Sequence, residues 1–189
     1  TGFEVEISGN TNRQIINSGI ESIHVESCFP HKVAHGHIKN LSGRDADAVL
    51  VPSFINLNSG NEAVRGFACP YAQTIPYVTN VVFRGNGIFS EKITRAGKQD
   101  FFSNGVKLLK PVIDMELGER YFLKEIYNTL RPFGVSMNEI KKAFVKAEKA
   151  QMEFASAIKA RGKEVLKDIK EKTIIIAGRS YNSFDPGVN

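Results

Sequence analysis

Cys28 and Cys69 are the residues of this 189-residue chain whose type and placement suit them best to chemistry. Each stands at or just before an expected helix start, with Pro30 two residues after the first and Pro70 directly after the second. Proline suits the first turn of a helix because its missing N–H would be unpaired there in any case. A helix start also presents free backbone amides and the positive end of the helix dipole, which suit an anionic sulfur. Thiolate sulfur binds metal and is the ordinary ligand of iron–sulfur clusters. The plainer alternative is two small buried hydrophobes, the usual role of a free cysteine. Two cysteines make no disulfide framework, and without a signal peptide a compartment that keeps thiols reduced is expected.

All four histidines fall between His24 and His37, and Cys28, His31, His35 and His37 form a Cys-x2-His-x3-His-x-His string. Imidazole and thiolate together suit zinc, so a zinc-binding module is an alternative. On a helix Cys28, His31 and His35 share one face and His37 points elsewhere, a spacing that matches no structural zinc site well. His24 and His37 read as solvated or capping residues. Gly85-Asn86-Gly87 is half of a phosphate-binding fingerprint, lacking its third glycine. The chain has neither a Walker sequence nor a Gly-x-Ser-x-Gly elbow, which argues against P-loop and serine-hydrolase chemistry.

The elements that must position these residues read as a mixture of strands and helices. Phe3, Val5 and Ile7 alternate with polar residues, the period-two pattern of a strand. Asn12 to Ser18 reads as a short helix closed by Gly19, and a strand is expected around Ile23 and Val25. A helix follows from Pro30 to about Leu41, then a buried strand from Ala48 to Val51. Residues 52–66, rich in Asn, Ser and Gly, read as a long loop, and such loops usually have a function. Past Cys69 the expectation is a helix from Pro70 to about Tyr77, interrupted by Pro76, and a strand at Val81 to Phe83. Residues 85–105 give no clear period; Leu108 to Ile113 resembles a strand and Leu117 to Leu130 a helix. Ser136 with Glu139 is a capping box opening a long helix. That helix keeps Ile140, Phe144, Ala147, Phe154, Ile158, Val165 and Ile169 on one face through about Lys170. A strand at 173–177 and a loop at Gly178-Arg179-Ser180-Tyr181 close the reading.

The order predicts an α/β fold: an open, mostly parallel sheet with flanking helices, Rossmann- or flavodoxin-like, and a long C-terminal helix leading to a truncated second α/β unit. The expected divisions are 1–113 for the α/β domain with both cysteine motifs, 114–172 for a helical connector, and 173–189 for the start of the second unit. Both ends read as cut from a larger protein. Hydrophobic residues make up 42% of the chain and charged ones 24%, which suits a globular core. The net charge of +5 is concentrated between Glu139 and Lys172, where ten Lys/Arg face six Asp/Glu. That interleaving is a solvated helix face and argues against nucleic acid. No apolar run reaches bilayer length, so a soluble, cytoplasmic protein is expected.

The stretch from Cys28-Phe29-Pro30-His31-Lys32 to His35-Gly36-His37, the Pro52-Ser53-Phe54 turn, Cys69-Pro70-Tyr71-Ala72-Gln73 and the terminal Gly-Arg-x-Tyr together resemble a known family. They are similar to the CoA-substrate-specific enzyme activase domain, a region of very large proteins related to the activators and component subunits of 2-hydroxyacyl-CoA dehydratases. The resemblance implies ATP-driven, low-potential electron transfer to CoA-thioester chemistry, with an iron–sulfur cluster, 4Fe-4S or related, facing Cys28 and Cys69. It implies as partners an ATP-binding activator module and a dehydratase-like module of the same parent chain; homodimerisation is compatible with it. The Asp-x-Gly-Ser/Thr-Thr sequence of the activator's nucleotide site is absent, so ATPase activity is expected outside this chain. A cubane takes three or four cysteines, so further ligands must come from elsewhere and the isolated chain need not hold metal. His31 and His35 are expected to donate hydrogen bonds to cluster sulfurs. Ser180 and Asn182 depart from the family's Pro and His, whereas Asp185, Pro186 and Asn189 keep to its pattern.

Overall fold

The computed structural model describes residues 2–24, 26–57, 66–85, 87–94, 97–169, 172–174 and 177–187. Asn12 opens the first helix, α1 (Arg13–Ser22), its side-chain oxygen accepting from the Ile15 amide at 3.0 Å. This is the N-cap role that short polar side chains fill by satisfying an orphan helix amide. Gly19 does not end the helix, as the sequence led us to expect, but lies inside it at the crossing with α2 (Phe29–Ser42). A methyl group at Gly19 would overlap the Lys32 carbonyl, and one at Gly36 the Ile15 carbonyl. The two backbones therefore touch, and only glycine permits it.

Two parallel pairings form the centre of the chain. Strand β1 (Ala48–Leu50) runs beside β5 (Lys107–Leu109), and β2 (Ser53–Asn56) beside β6 (Val112–Asp114). Between them the Val51 amide donates to the Leu109 carbonyl at 2.8 Å and the Ser53 amide to the Pro111 carbonyl at 2.9 Å. The pairs are thus consecutive stretches of one parallel ladder, interrupted where Pro52 and Pro111 lack an N–H to donate. For this reason the expected single strand at Leu108 to Ile113 is two strands. β2 likewise lies within the expected loop, of which 58–65 fall outside the described residues.

The sheet is mixed rather than mostly parallel. Its four strands are ordered β1-β5-β4-β3, with an antiparallel hairpin of β3 (Phe89–Thr94) and β4 (Gly97–Phe102) at one side. The hairpin occupies the stretch whose glycines hid its period. Buried Asp100 anchors it, paired with Lys110 and lying 3.3 Å from Arg84. No strand forms among residues 2–9, where Val5 and Ile7 are exposed, or at Ile23; Val25 lies outside the described residues.

Helix α3 (Pro70–Gly85) passes through Pro76 and absorbs the expected strand at 81–83. Its apolar face explains why it continues: Ile75, Val82 and the fully buried Phe83 pack with Ile38, Val49, Val51, Phe102, Val106 and Leu108 into the main core. Burial of this kind outweighs the roughly 3 kcal/mol that proline costs a helix interior. A second core joins α4 (Gly118–Leu130) to α5 (Met137–Lys167) through Leu123, Val135 and Ile140, with the Phe122 and Phe144 rings 5.2 Å apart. The capping box at Ser136 and Glu139 is formed as read. Beyond Phe144, α5 leaves the core, and Phe154 and Ile158 stand 61% and 58% exposed on its apolar face. Of the expected strand at 173–177, residues 175 and 176 fall outside the described set; past it lies a single turn, α6 (Ser180–Ser183). No helix among the described residues is long and apolar enough to cross a membrane.

Candidate functional site

Cys28 is the N-cap of α2, with Pro30 in the first turn and no side-chain capping bond, so its sulfur is left exposed. Its carbonyl accepts from His31 and Lys32 at 3.1 and 3.3 Å, which fixes the helix start. Cys69 stands directly before α3, half-buried, its carbonyl accepting from the Gln73 amide at 3.0 Å. The chain reaches Cys69 along a backbone paired to β2: Ala68 donates to Ile55 at 2.9 Å and Leu57 to Gly66 at 2.8 Å. Ser53 then donates from its hydroxyl to the Gln73 carbonyl at 2.6 Å, binding the first turn of α3 to the same strand. Each cysteine is therefore held by the backbone around it.

The two helix starts meet through His31 and Tyr71, whose ring centroids lie 5.0 Å apart. His31 is three residues beyond Cys28 and Tyr71 two beyond Cys69, so each ring stands within the first turn after its cysteine. His31 also lies edge-on to His35, with centroids 4.7 Å apart. Tyr71 belongs to the second motif but had no role in the sequence reading; no spacing rule pairs residues forty positions apart.

Both histidines are buried, and their polar atoms are poorly matched. Among the described residues His31 has no hydrogen-bond partner at either ring nitrogen, and His35 has none at Nε2. Buried polar groups are nearly always paired, so three orphaned nitrogens in one place call for a reason. His35 lies 2.9 Å from the His31 carbonyl through Nδ1. A carbonyl only accepts, so that nitrogen carries the proton, and in the neutral ring Nε2 is an acceptor. Burial drives the His35 pKa down to about 4, with the backbone bond pulling upward and His31 adding slightly to the depression. Burial lowers His31 as well. His35 thus has no proton left to donate, and His31 is the ring of this pair free to do so.

His37 departs from the solvated or capping role expected of it. It is half-buried, its Nε2 2.9 Å from the hydroxyl of buried Thr11, and burial lowers its pKa against an upward pull from Asp185. His24 is exposed, as expected. Among the described residues no three His, Cys, Asp or Glu side chains group to hold a metal ion. Among those residues the Cys-x2-His-x3-His string does not come together as a three-ligand group. Nor does the donor set fit a whole iron–sulfur cluster, since two thiolates fall short of the three or four that a cubane takes.

No curated protein and no solved structure matches this chain. A family model described as the CoA enzyme activase uncharacterised domain matches residues 1–189, the whole of it.

Proposed function

The chain belongs to the CoA enzyme activase uncharacterised-domain family, and from that premise we propose that it supplies two thiolates, Cys28 and Cys69, to an iron–sulfur cluster completed by another module. The work is ATP-driven, low-potential electron transfer serving CoA-thioester chemistry of the 2-hydroxyacyl-CoA dehydratase type, in the cytoplasm. ATP hydrolysis belongs to the activator module and substrate binding to a dehydratase-like one. When bound, a cluster supplies one-electron chemistry at a potential tuned by hydrogen bonds to its sulfurs and by solvent exposure. This chain's own part is to hold two sulfurs at adjacent helix starts and to offer them the His31 ring as donor. The parallel pairings of β1 with β5 and β2 with β6 also support kinship with open α/β sheets, which bind ligands outside the carboxyl ends of their strands.

The observation that carries this reading is the contact of His31 with Tyr71, which joins the turn after one cysteine to the turn after the other. Anaerobic reconstitution of the longer parent protein is expected to give the visible absorption of an iron–sulfur centre. Cys28→Ala and Cys69→Ala should each abolish it. Unchanged iron content in both variants refutes the assignment.

A second reading, a metal-free docking module, is favoured by the exposed apolar face of α5 and the basic surplus along it. On that reading the metal-free chain captures the activator module, and Lys142→Glu with Lys149→Glu weakens capture without changing the iron content of the reconstituted parent. Capture indifferent to both reversals removes α5 as the docking face.

A further inference from the structure

Residues 178–187 reach back across the molecule to the start of α1 and the middle of α2. The Thr11 hydroxyl donates to Asp185 Oδ2, and His37 Nε2 lies 2.9 Å from that same Thr11 hydroxyl oxygen. A hydroxyl has one proton to give, so His37 must be the donor in the second bond and Thr11 both gives and receives. The other carboxylate oxygen, Oδ1, accepts from the Gly187 amide at 2.9 Å and so folds the Asp185-Pro186-Gly187 turn. One side chain thus shapes the segment's turn and fastens it. Gly187 adds an independent constraint, because a methyl group there would overlap the Thr11 carbonyl. Between this segment and α2 lies a cavity of about 150 Å³, with Tyr181 and Asp185 on one wall and Pro30, Val33, Ala34 and His37 on the other. Within the segment Phe184 is exposed, and α6 is one turn in which the Ser183 amide donates to the Arg179 carbonyl at 3.0 Å.

We propose that residues 178–187 are a strap that closes over α2, held shut by Asp185 on the Thr11–His37 pair, and that its release bares the Pro30, Val33 and Ala34 floor. Those residues occupy the first two turns of the helix that Cys28 opens. The strap would therefore govern access to that end of α2. It stands apart from the cysteine assignment, since it can be read on metal-free protein.

The test is limited trypsin digestion of the whole chain at neutral pH, followed at cleavage after Arg179, with amide hydrogen exchange as a second readout. Asp185→Asn, Thr11→Val and Gly187→Ala should each speed that cleavage about tenfold, the loss expected when a charge-assisted bond or a close backbone fit is removed. Exchange in α1 and α2 should stay slow in Asp185→Asn, which separates release of the strap from unfolding. Thr11→Val and Asp185→Asn combined should speed cleavage by clearly less than the product of their separate effects, since both act on the same bond. Wild-type protein cut after Arg179 as fast as Asp185→Asn, or additive effects in the double variant, would overturn the proposal. Should Thr11→Val unfold α1, Asp185→Asn and Gly187→Ala still decide the question.

Discussion

Gly36→Ala is expected to lower the melting temperature by roughly 4–8 °C, the equivalent of about 2 kcal/mol in a chain of this length. Alanine is the better helix former by about 1 kcal/mol, so a substitution in the middle of α2 would ordinarily stabilise it. Here the added methyl group meets the Ile15 carbonyl of α1, with the Gly19 amide nitrogen 3.1 Å away. Neither is the flexible end of a side chain, so α1 must move as a body. Overpacking of this kind costs about 3 kcal/mol at the upper end of its usual range, and the helix-propensity gain offsets only part of it. Gly162→Ala is the matched control: among the described residues nothing beyond its own helix backbone and chain neighbours lies within 4 Å of the new methyl group, and α5 is exposed there. It should gain the propensity alone, about 1 kcal/mol, and melt roughly 2–4 °C higher. Thermal unfolding followed by circular dichroism checks both. Equal, positive shifts would mean that the backbones of α1 and α2 do not touch.

Gly36 also shows what a sequence carries and what it hides. Helix α2 was expected from Pro30 to about Leu41 and spans Phe29–Ser42, because Pro30 and the apolar spacing are local signals. The capping box of α5 and the extent of α4 were readable for the same reason. Where tertiary burial overrode local preference, the reading failed. Pro76 and the β-branched pair Val81-Val82 suggested a break and a strand, yet Phe83 packs under Phe102 and draws the segment into α3. The β3–β4 hairpin was hidden by glycines at 85, 87, 97 and 105, and the ladder through β1, β2, β5 and β6 by the prolines that interrupt it. The cysteines were placed correctly at two helix starts. That His31 would meet Tyr71, or Thr11 meet both His37 and Asp185, depends on how helices cross and on a return of the chain, which no periodicity encodes.

The second large effect is one of pH, and it follows from His35. That ring is fully buried, its centroid 6.4 Å from that of Phe83 in an edge-on contact, its Nδ1–H given to the His31 carbonyl and its Nε2 without a partner among the described residues. Protonation would place a charge and an unanswered N–H in this setting, which is why burial holds the pKa at about 4 against the ordinary histidine value of 6.5. A histidine depressed in the folded state binds its proton more readily when unfolded, so its contribution to stability is full above pH 6.5. It is lost as pH falls from 6.5 through about 4. The gap corresponds to about 3 kcal/mol at one site. His31 and His37 are depressed by burial as well and act with the same sign. Urea unfolding at pH 7, 5.5 and 4.5 should show stability declining steadily, with most of the slope absent in His35→Leu. The exposed Glu139, lowered by its bonds to Ser136, acts only in the carboxylate range and is common to both proteins, so the comparison removes it. A wild-type curve that is flat from pH 7 to 4.5 would mean that His35 takes up its proton without cost. The orphaned Nε2 would then have an acceptor in the protonated state, and the description of this helix start as a buried, neutral imidazole pair would have to be given up.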